Sequence, residues 1–499
     1  MGNSPNPLYP LTSPQREIWF DQIIHEGIPL YNICAHVKIP GILDPVLFEQ
    51  AVNLLVKKHD TLRTILTTVL DEDGIPMQTY VEKCENSLTV QDFSASSHPR
   101  KEAIAWMEQR FLEPFELTGR PLFRYDLVKI SNDCYYWLAQ YHHIIADGQA
   151  FTLISRSLAK IYSELVKGKI PNQDGLSYVN FIDHDRKFAG SKIFGEHRQY
   201  WLEKYSSPPG PLLNPRYRSQ YKDTVIGSGL ETFSMSREFY NRLHDFGKKH
   251  NTTFFRVMLG ALYVYFTRTT RQDDFTVGFP TLNRVTNEFQ QTAGLFVLAS
   301  PSSFKFGNIL NFSELLKKID QTLKQDLSRQ PFPLSEINRG ASRGQGSHRT
   351  ILYDISVSYA RFDLTTHFNG IASQTTWLLN PWEQTPLTIN VEDFHPQSDV
   401  KFNFAFNRAY FDTNDIQLLQ ARLKTIFKAV LENSSSPIRT LPIVTDEENQ
   451  QLQSWNETGR DYSKARTQEN PTLADLFEQQ VQKTPDNIAL VFEGRQLSY

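Results

Sequence analysis

A change of period between residues 135 and 168 limits the fold of this chain more than any other feature. Residues 135–141 form an aromatic and apolar run with strand propensity. Asp147-Gly148 breaks that run. Phe151, Ile154, Leu158, Ile161 and Leu165 then recur at helical spacing until Gly168 closes the helix. A strand that feeds a helix through a short loop predicts a mixed α/β architecture. The pair His142-His143 sits where the strand ends.

Side chains alternate across a strand, so a strand running through the pair would point the two imidazoles to opposite faces. Tyr135, Trp137, Ala139 and Tyr141 would share a face with His143. One imidazole can then enter a cleft while the other packs inside. Neighbouring histidines facing opposite ways chelate a metal poorly, so no metal is expected. A neutral histidine near pH 7 can take a proton from an amine or hold it by a hydrogen bond. Gly148 opens a helix, where backbone N–H groups suit a developing oxyanion, and its missing side chain permits close approach. Together these features suit acyl transfer to an amine. Asp147 has two readings: it orients the imidazole as in a triad, or it pairs with an arginine and braces the loop.

The 499 residues are 40% hydrophobic and 21% charged, enough for two or three globular domains. A net charge of −3 makes nucleic acid a poor first expectation. Cys34, Cys84 and Cys134 are far apart and odd in number, which fits neither a zinc site nor a disulfide framework and points to the cytoplasm. The N-terminus lacks the apolar core of a signal peptide. Asn6 stands where myristoylation after Gly2 wants Ser or Thr. The longest apolar run, residues 254–266, is too short to span a bilayer and reads as a core helix.

Elsewhere, Asp44-Pro45 starts a helix as N-cap and first helical residue. Residues 62–70 read as a strand and 71–74 as a hairpin turn. Helices are expected at Phe312–Leu327 and Thr413–Glu432, and strands at 274–279, 351–359 and 400–406. A polar stretch with Asn283-Arg284 follows the first of these strands. Residues 339–349, rich in Gly, Ser and Arg, read as a mobile loop. Residues 445–470 have linker composition. Leu473, Phe477 and Val481 resume a helix and Ile488–Phe492 a strand, as if a further domain begins there.

Several segments, in order, resemble the condensation domains of non-ribosomal peptide synthetases. They are Tyr9-Pro10-Leu11-Thr12-Ser13-Pro14-Gln15-Arg16-Glu17-Ile18-Trp19, Lys58-His59-Asp60-Thr61-Leu62-Arg63-Thr64, the H-H-x-x-x-D-G of His142 to Gly148, Tyr178 to Asp183 with Tyr200-Trp201, and Gly294-Leu295-Phe296-Val297. Trp455-Asn456-Glu457-Thr458, Thr484-Pro485-Asp486 and Leu497-Ser498-Tyr499 resemble the lead into an adenylation domain.

The resemblance implies two chloramphenicol-acetyltransferase-like lobes in a V, with a substrate tunnel between them. The lobes are expected at 1–180 and 181–444, the linker at 445–470, and the start of an adenylation domain at 471–499. By the same likeness His143 is the active-site histidine, His142 and Asp147 hold its loop, Arg63 is the partner of Asp147, and Gly148 contacts substrate. Gln149 and Ser356 are the expected substrate contacts of the two lobes. No cofactor is bound. Substrates ride on phosphopantetheine arms or coenzyme A, and the partners are carrier domains, the adjoining adenylation domain and an acyl donor.

The chain departs from the family pattern at Leu298-Ala299, at Gln149, where extending domains often carry Trp, and at Arg329-Gln330-Pro331-Phe332. With the opening Tyr9-Pro10-Leu11-Thr12 and its short lead, these departures favour a starter domain that attaches a fatty acyl group to a first amino acid. The alternative is peptide extension with a donor carrier on a separate protein. An epimerisation domain would carry a second-lobe glutamate motif. A cyclisation domain would carry Asp-x-x-x-x-Asp in place of the His pair. A recruiting domain would have a damaged motif, and a stand-alone alcohol acyltransferase would lack the adenylation lead.

Overall fold

A computed structural model describes residues 6–82, 88–221, 225–342, 352–459 and 472–499. Cys84, residues 343–349 of the Gly/Ser/Arg-rich segment, Ile351 and residues 460–470 lie outside them. The chain divides into two compact units, Met1–Ile443 and Val444–Tyr499.

The first unit opens with α1 (Ser13–Ile24), β1 (Asn32–Pro40), α2 (Pro45–Lys58), β2 (Thr64–Leu70), β3 (Pro76–Tyr80), β4 (Thr89–Asp92) and α3 (Pro99–Phe111). It continues with β5 (Phe123–Ser131), β6 (Cys134–His142), α4 (Gly148–Val166), α5 (Val179–Ala189) and α6 (Lys192–Lys204). Its second half holds β7 (Ser228–Met235), α7 (Arg237–Lys249), α8 (Phe254–Thr270), β8 (Asp274–Thr281), α9 (Asn287–Gln291) and β9 (Leu298–Lys305). Then come α10 (Phe312–Leu327), α11 (Leu334–Ser342), β10 (Ile355–Ala360), β11 (His367–Phe368), β12 (Ile371–Ala372), β13 (Gln374–Leu378), β14 (Leu387–Glu392), β15 (Val400–Asn407) and α12 (Thr413–Glu432). The second unit contains α13 (Asp446–Asn456), α14 (Leu473–Lys483), β16 (Ile488–Phe492) and β17 (Arg495–Ser498).

Two sheets organise the first unit as two lobes. The first sheet has the order β13-β1-β6-β5-β4 and the second β7-β15-β14-β10-β8-β9. In the first lobe α4 lays Phe151, Ile154 and Leu158 on the sheet face that carries Trp137, Ala139 and Tyr141. Trp137 stacks on Phe151. In the second lobe α8 is buried from Val257 to Val264, as its unbroken apolar run requires, among Phe275, Phe404 and Ile426. Helix starts follow their caps: Asp44 accepts from the Val46 and Leu47 amides, and Asp412 forms a capping box with Asp415.

Three features differ from the sequence expectation. Strand β13 comes from the second half of the chain but pairs antiparallel with β1, Ala35 opposite Trp377. A contiguous division at residue 180 therefore does not describe this strand. Within the expected linker, Thr445 and Glu448 form a capping box that starts α13. That signal is legible, but the helix has no apolar stripe and buries no residue, so periodicity misses it. Finally, residues 339–342 of the expected mobile loop belong to α11.

Candidate active site

Strand β6 ends at His142, and His143 begins a short 3-10 turn, His143–Ile145. Strand alternation therefore stops one residue early, and the turn rather than the pleat separates the two imidazoles. His142 is buried. Its Nδ1 accepts from the Ile144 amide at 3.2 Å, which leaves the proton on Nε2, 3.3 Å from Gln22 Oε1. The Gln22 amide nitrogen donates to the carbonyls of His25 and Ile28, so its oxygen faces the ring. Burial, helped by neighbouring His143, pushes the His142 pKa down to about 3. It is a fixed neutral group.

His143 is half-buried, and its amide donates to the Tyr31 carbonyl at 2.8 Å. Its Nδ1 is shielded from solvent and has no well-aligned hydrogen-bond partner among the described residues. Burial lowers its pKa, while the local backbone of His143 and Ala146 and the charge of Asp147 pull it part of the way back. The imidazole is thus held toward its neutral form.

Asp147 is fully buried. It caps α4 through Oδ1 and the Ala150 amide at 2.8 Å. Both of its oxygens also accept from Arg284 Nη2, at 2.9 and 3.0 Å, and Oδ2 accepts from the Phe296 amide at 3.1 Å. These bonds engage both Asp147 oxygens, and they differ from the expected pairing. The arginine is Arg284, from the loop after β8, and not Arg63. Arg63 instead donates Nη1 to the Val81 carbonyl at 3.0 Å. The physical reason is reach and enclosure. Arg284 is buried, its guanidinium stacks 4.0 Å from the Phe296 ring centroid, and it also donates to the Gly294 carbonyl at 3.3 Å.

The other motifs close around this loop. Gln15 Nε2 donates to the Ile144 carbonyl at 3.1 Å, and Thr61 Oγ1 to the Ile145 carbonyl at 2.6 Å. The segment around Arg63 therefore does brace the site, but through Thr61. Tyr178 bonds Thr12 on one side and the Leu295 carbonyl on the other. Its ring also fills the space where a side chain at position 294 would lie, 2.2 Å from an ideal Cβ, so only glycine fits there. Gln15, Gln22, Thr61 and Arg284 are site residues that sequence reading passed over. Gln15 and Thr61 stood inside quoted motifs, where chain order gives no distances.

Gly148 is not crowded by protein: an added Cβ would meet only Phe362, at 3.7 Å. Gln149 donates to the Gln290 carbonyl at 2.7 Å, joining α4 to α9 of the other lobe. Ser356 is half-buried between the buried Ile355 and Val357, opposite Gly278 and Thr388. Among the described residues, neither Arg63 nor Ser356 hydrogen-bonds the His142–Gly148 segment.

The condensation-domain family model matches residues 6–453, and the chain belongs to that family. It is 25% identical over 493 residues to a dimodular nonribosomal peptide synthase of Bacillus subtilis (strain 168), covering 98% of this chain and 20% of that protein. It is 26% identical over 504 residues to gramicidin S synthase 2 of Aneurinibacillus migulanus, covering 99% and 11%. The chain thus spans a fifth or less of the length of these relatives.

Among solved structures it is similar to a double mutant of the starter condensation domain of rhizomide synthetase RzmA in complex with C8-CoA and Leu-SNAC. The TM-score is 0.76 at 25% identity, over 87% of this chain and 97% of that one. The first condensation domain of the calcium-dependent antibiotic synthetase shares the fold, with a TM-score of 0.75 at 19% identity over 88% and 99%. The fold is therefore the chloramphenicol-acetyltransferase-like fold of condensation domains, and the chain is an amide-forming acyltransferase domain.

Proposed function

We propose that this condensation domain joins a fatty acyl group, presented as a thioester on coenzyme A or a carrier protein, to an aminoacyl group on a downstream phosphopantetheine carrier, and so begins a lipopeptide. The observation that carries this reading is an intact catalytic loop whose His143 is held toward neutrality beside a locked Asp147. The acceptor nitrogen attacks the thioester carbon. His143 accepts or holds the proton that the amine gives up. The C–N bond forms, the C–S bond breaks, and the proton leaves on the departing thiol. Asp147 is occupied by Arg284 and the Phe296 amide, so it positions the loop and takes no proton. The amide of Gly148, in the first turn of α4, supports the oxyanion of the tetrahedral intermediate.

Support for the starter reading comes from Tyr9-Pro10-Leu11-Thr12, from Gln149 in place of an aromatic residue, and from the likeness to the RzmA starter domain. Gln149 and Ser356 remain the proposed substrate contacts. Gln149 flanks Gly148, and β10 leads from Ser356 toward Phe362, which lies against Gly148. We read residues 471–499 as the start of an adenylation domain. Leu473, Phe477, Phe492 and Leu497 in that unit are more than half exposed, as expected of an apolar face that further chain would cover.

The test offers a fatty acyl-coenzyme A and a carrier-bound aminoacyl donor side by side with one aminoacyl thioester acceptor. Acylation of the acceptor from the fatty donor is expected. Failure with every fatty acyl donor, with transfer from the aminoacyl carrier, would move the domain to peptide extension.

A further inference from the structure

The two lobes meet at a buried node and at several lighter contacts. The node is Asp147 with Arg284, Phe296 and Gly294, which takes its polar groups out of water. Helix α1 is fixed near this node, since Ser13 donates its amide and hydroxyl to Asp185 at 2.8 and 3.0 Å. One turn further along α1, Glu17 reaches away from the node to α11. Its Oε1 accepts from the Ser335 amide at 2.8 Å, across 318 residues of sequence.

Helix α11 has no other tie of this kind to α1 among the described residues. It packs on α6 through Ile337 and Trp201, and Leu202 fills the space beside Gly340. Its first amides need acceptors from outside the helix. Glu17 supplies one, and the Leu334 amide also acts on the carboxylate. Burial pushes the Glu17 carboxyl up to about 7, against the pull of these amides and of the Ser335 hydroxyl and with a small contribution from Glu336. The carboxyl is half-buried, and it forms no ion pair among the described residues. A carboxylate placed at such cost needs a reason other than surface solubility.

We propose that Glu17 is a clasp between the lobes: by capping the start of α11 it holds that helix against α1 and sets how far the lobes separate on this side. The node at Asp147 then acts as the pivot. Glu17 can release without disturbing it, because the two contacts share no atom. The lobes are also tied by the Gln149 bond to the Gln290 carbonyl.

The experiment compares the full chain with Glu17→Ala and Glu17→Gln. Amide hydrogen exchange is read at Leu334 and Ser335. Read above about pH 8, where the carboxyl is ionised, a hydrogen bond to this charged acceptor moves an opening equilibrium by about tenfold or more, so exchange at Ser335 should rise about tenfold in Glu17→Ala. Glu17→Gln keeps an oxygen that accepts from the same amide and should restore most of the protection.

Lobe separation is read by fluorescence transfer between dyes at exposed Lys101 on α3 and Lys248 on α7. Both are changed to cysteine after the three native cysteines are replaced by alanine. The distance distribution should extend to longer values in Glu17→Ala and return in Glu17→Gln, with the melting temperature within about 2 °C of the parent. Unchanged exchange at Ser335 in Glu17→Ala would overturn the clasp. Faster exchange with an unchanged distance distribution would overturn its control of the opening.

Discussion

At the residue scale, the two histidines of one motif sit in different surroundings because of where a strand stops. His142 is the last residue of β6 and is fixed on both ring nitrogens, by Ile144 and Gln22. His143 lies one residue later, in a turn, with an Nδ1 that has no well-aligned partner among the described residues and a pKa pushed below the usual histidine value. Replacing His143 with Ala should cost about 10²–10⁴ in kcat/KM, the range for one general base, with little change in melting temperature. The pH profile follows from the sign of the shift. A depressed histidine is neutral throughout the region above its ordinary value of about 6.5. Activity limited by this group should therefore be flat there and fall only on the acid side. A fall centred above pH 7 would assign the limiting proton to another group. Sequence reading separated the two imidazoles by strand alternation, whereas the strand ends at His142 and a turn begins at His143.

At the element scale, the short turn between β6 and α4 is held by segments far away in the chain. Gln15, Thr61, Arg284 and Phe296 each contribute one or more bonds to it. The motifs that contain Gln15, Thr61 and Phe296 are thus parts of a single scaffold around one loop. Removing Arg284 would leave Asp147 buried and unpaired, so Arg284→Ala should destabilise the first unit by about 3–5 kcal/mol in chemical denaturation. Arg63→Ala should cost about 1 kcal/mol, the value of one ordinary hydrogen bond, because it loses its bond to the Val81 carbonyl and leaves Asp147 untouched. Equal losses in the two variants would contradict the assignment of the partner. Helix and strand assignments were legible from local period: Phe312–Leu327 and Thr413–Glu432 are helices as expected. The partner of Asp147 was not legible, because a buried charge pair depends on which loops fold together. Asn283 offered one hint. It adopts a left-handed backbone (φ 49), the kind of bend that can turn Arg284 inward.

At the scale of the molecule, the lobes are tied by chain exchange as well as by the buried node. Strand β13 joins the sheet of the first lobe, and Asn380 just beyond it donates Nδ2 to the carbonyls of Pro29 and Leu30 at 2.8 and 2.9 Å. Tyr31 follows directly, and its carbonyl receives the His143 amide. Asn380→Ala should therefore loosen the segment that holds the histidine. We expect a loss of about 1–3 kcal/mol in unfolding free energy, the cost of leaving a buried acceptor unsatisfied, and a lower kcat. Full activity with only a stability loss would separate the crossover from the site.

The sequence by itself determined the family and the strand and helix on either side of the His142–Gly148 loop, because period, caps and turn residues are local properties of the chain. Only the tertiary structure decided that Arg284 holds Asp147, that β13 crosses between lobes and that Glu17 meets Ser335. Each of these contacts joins residues more than a hundred positions apart. Such pairs are chosen by burial and by the geometry of packed layers, which no local pattern encodes.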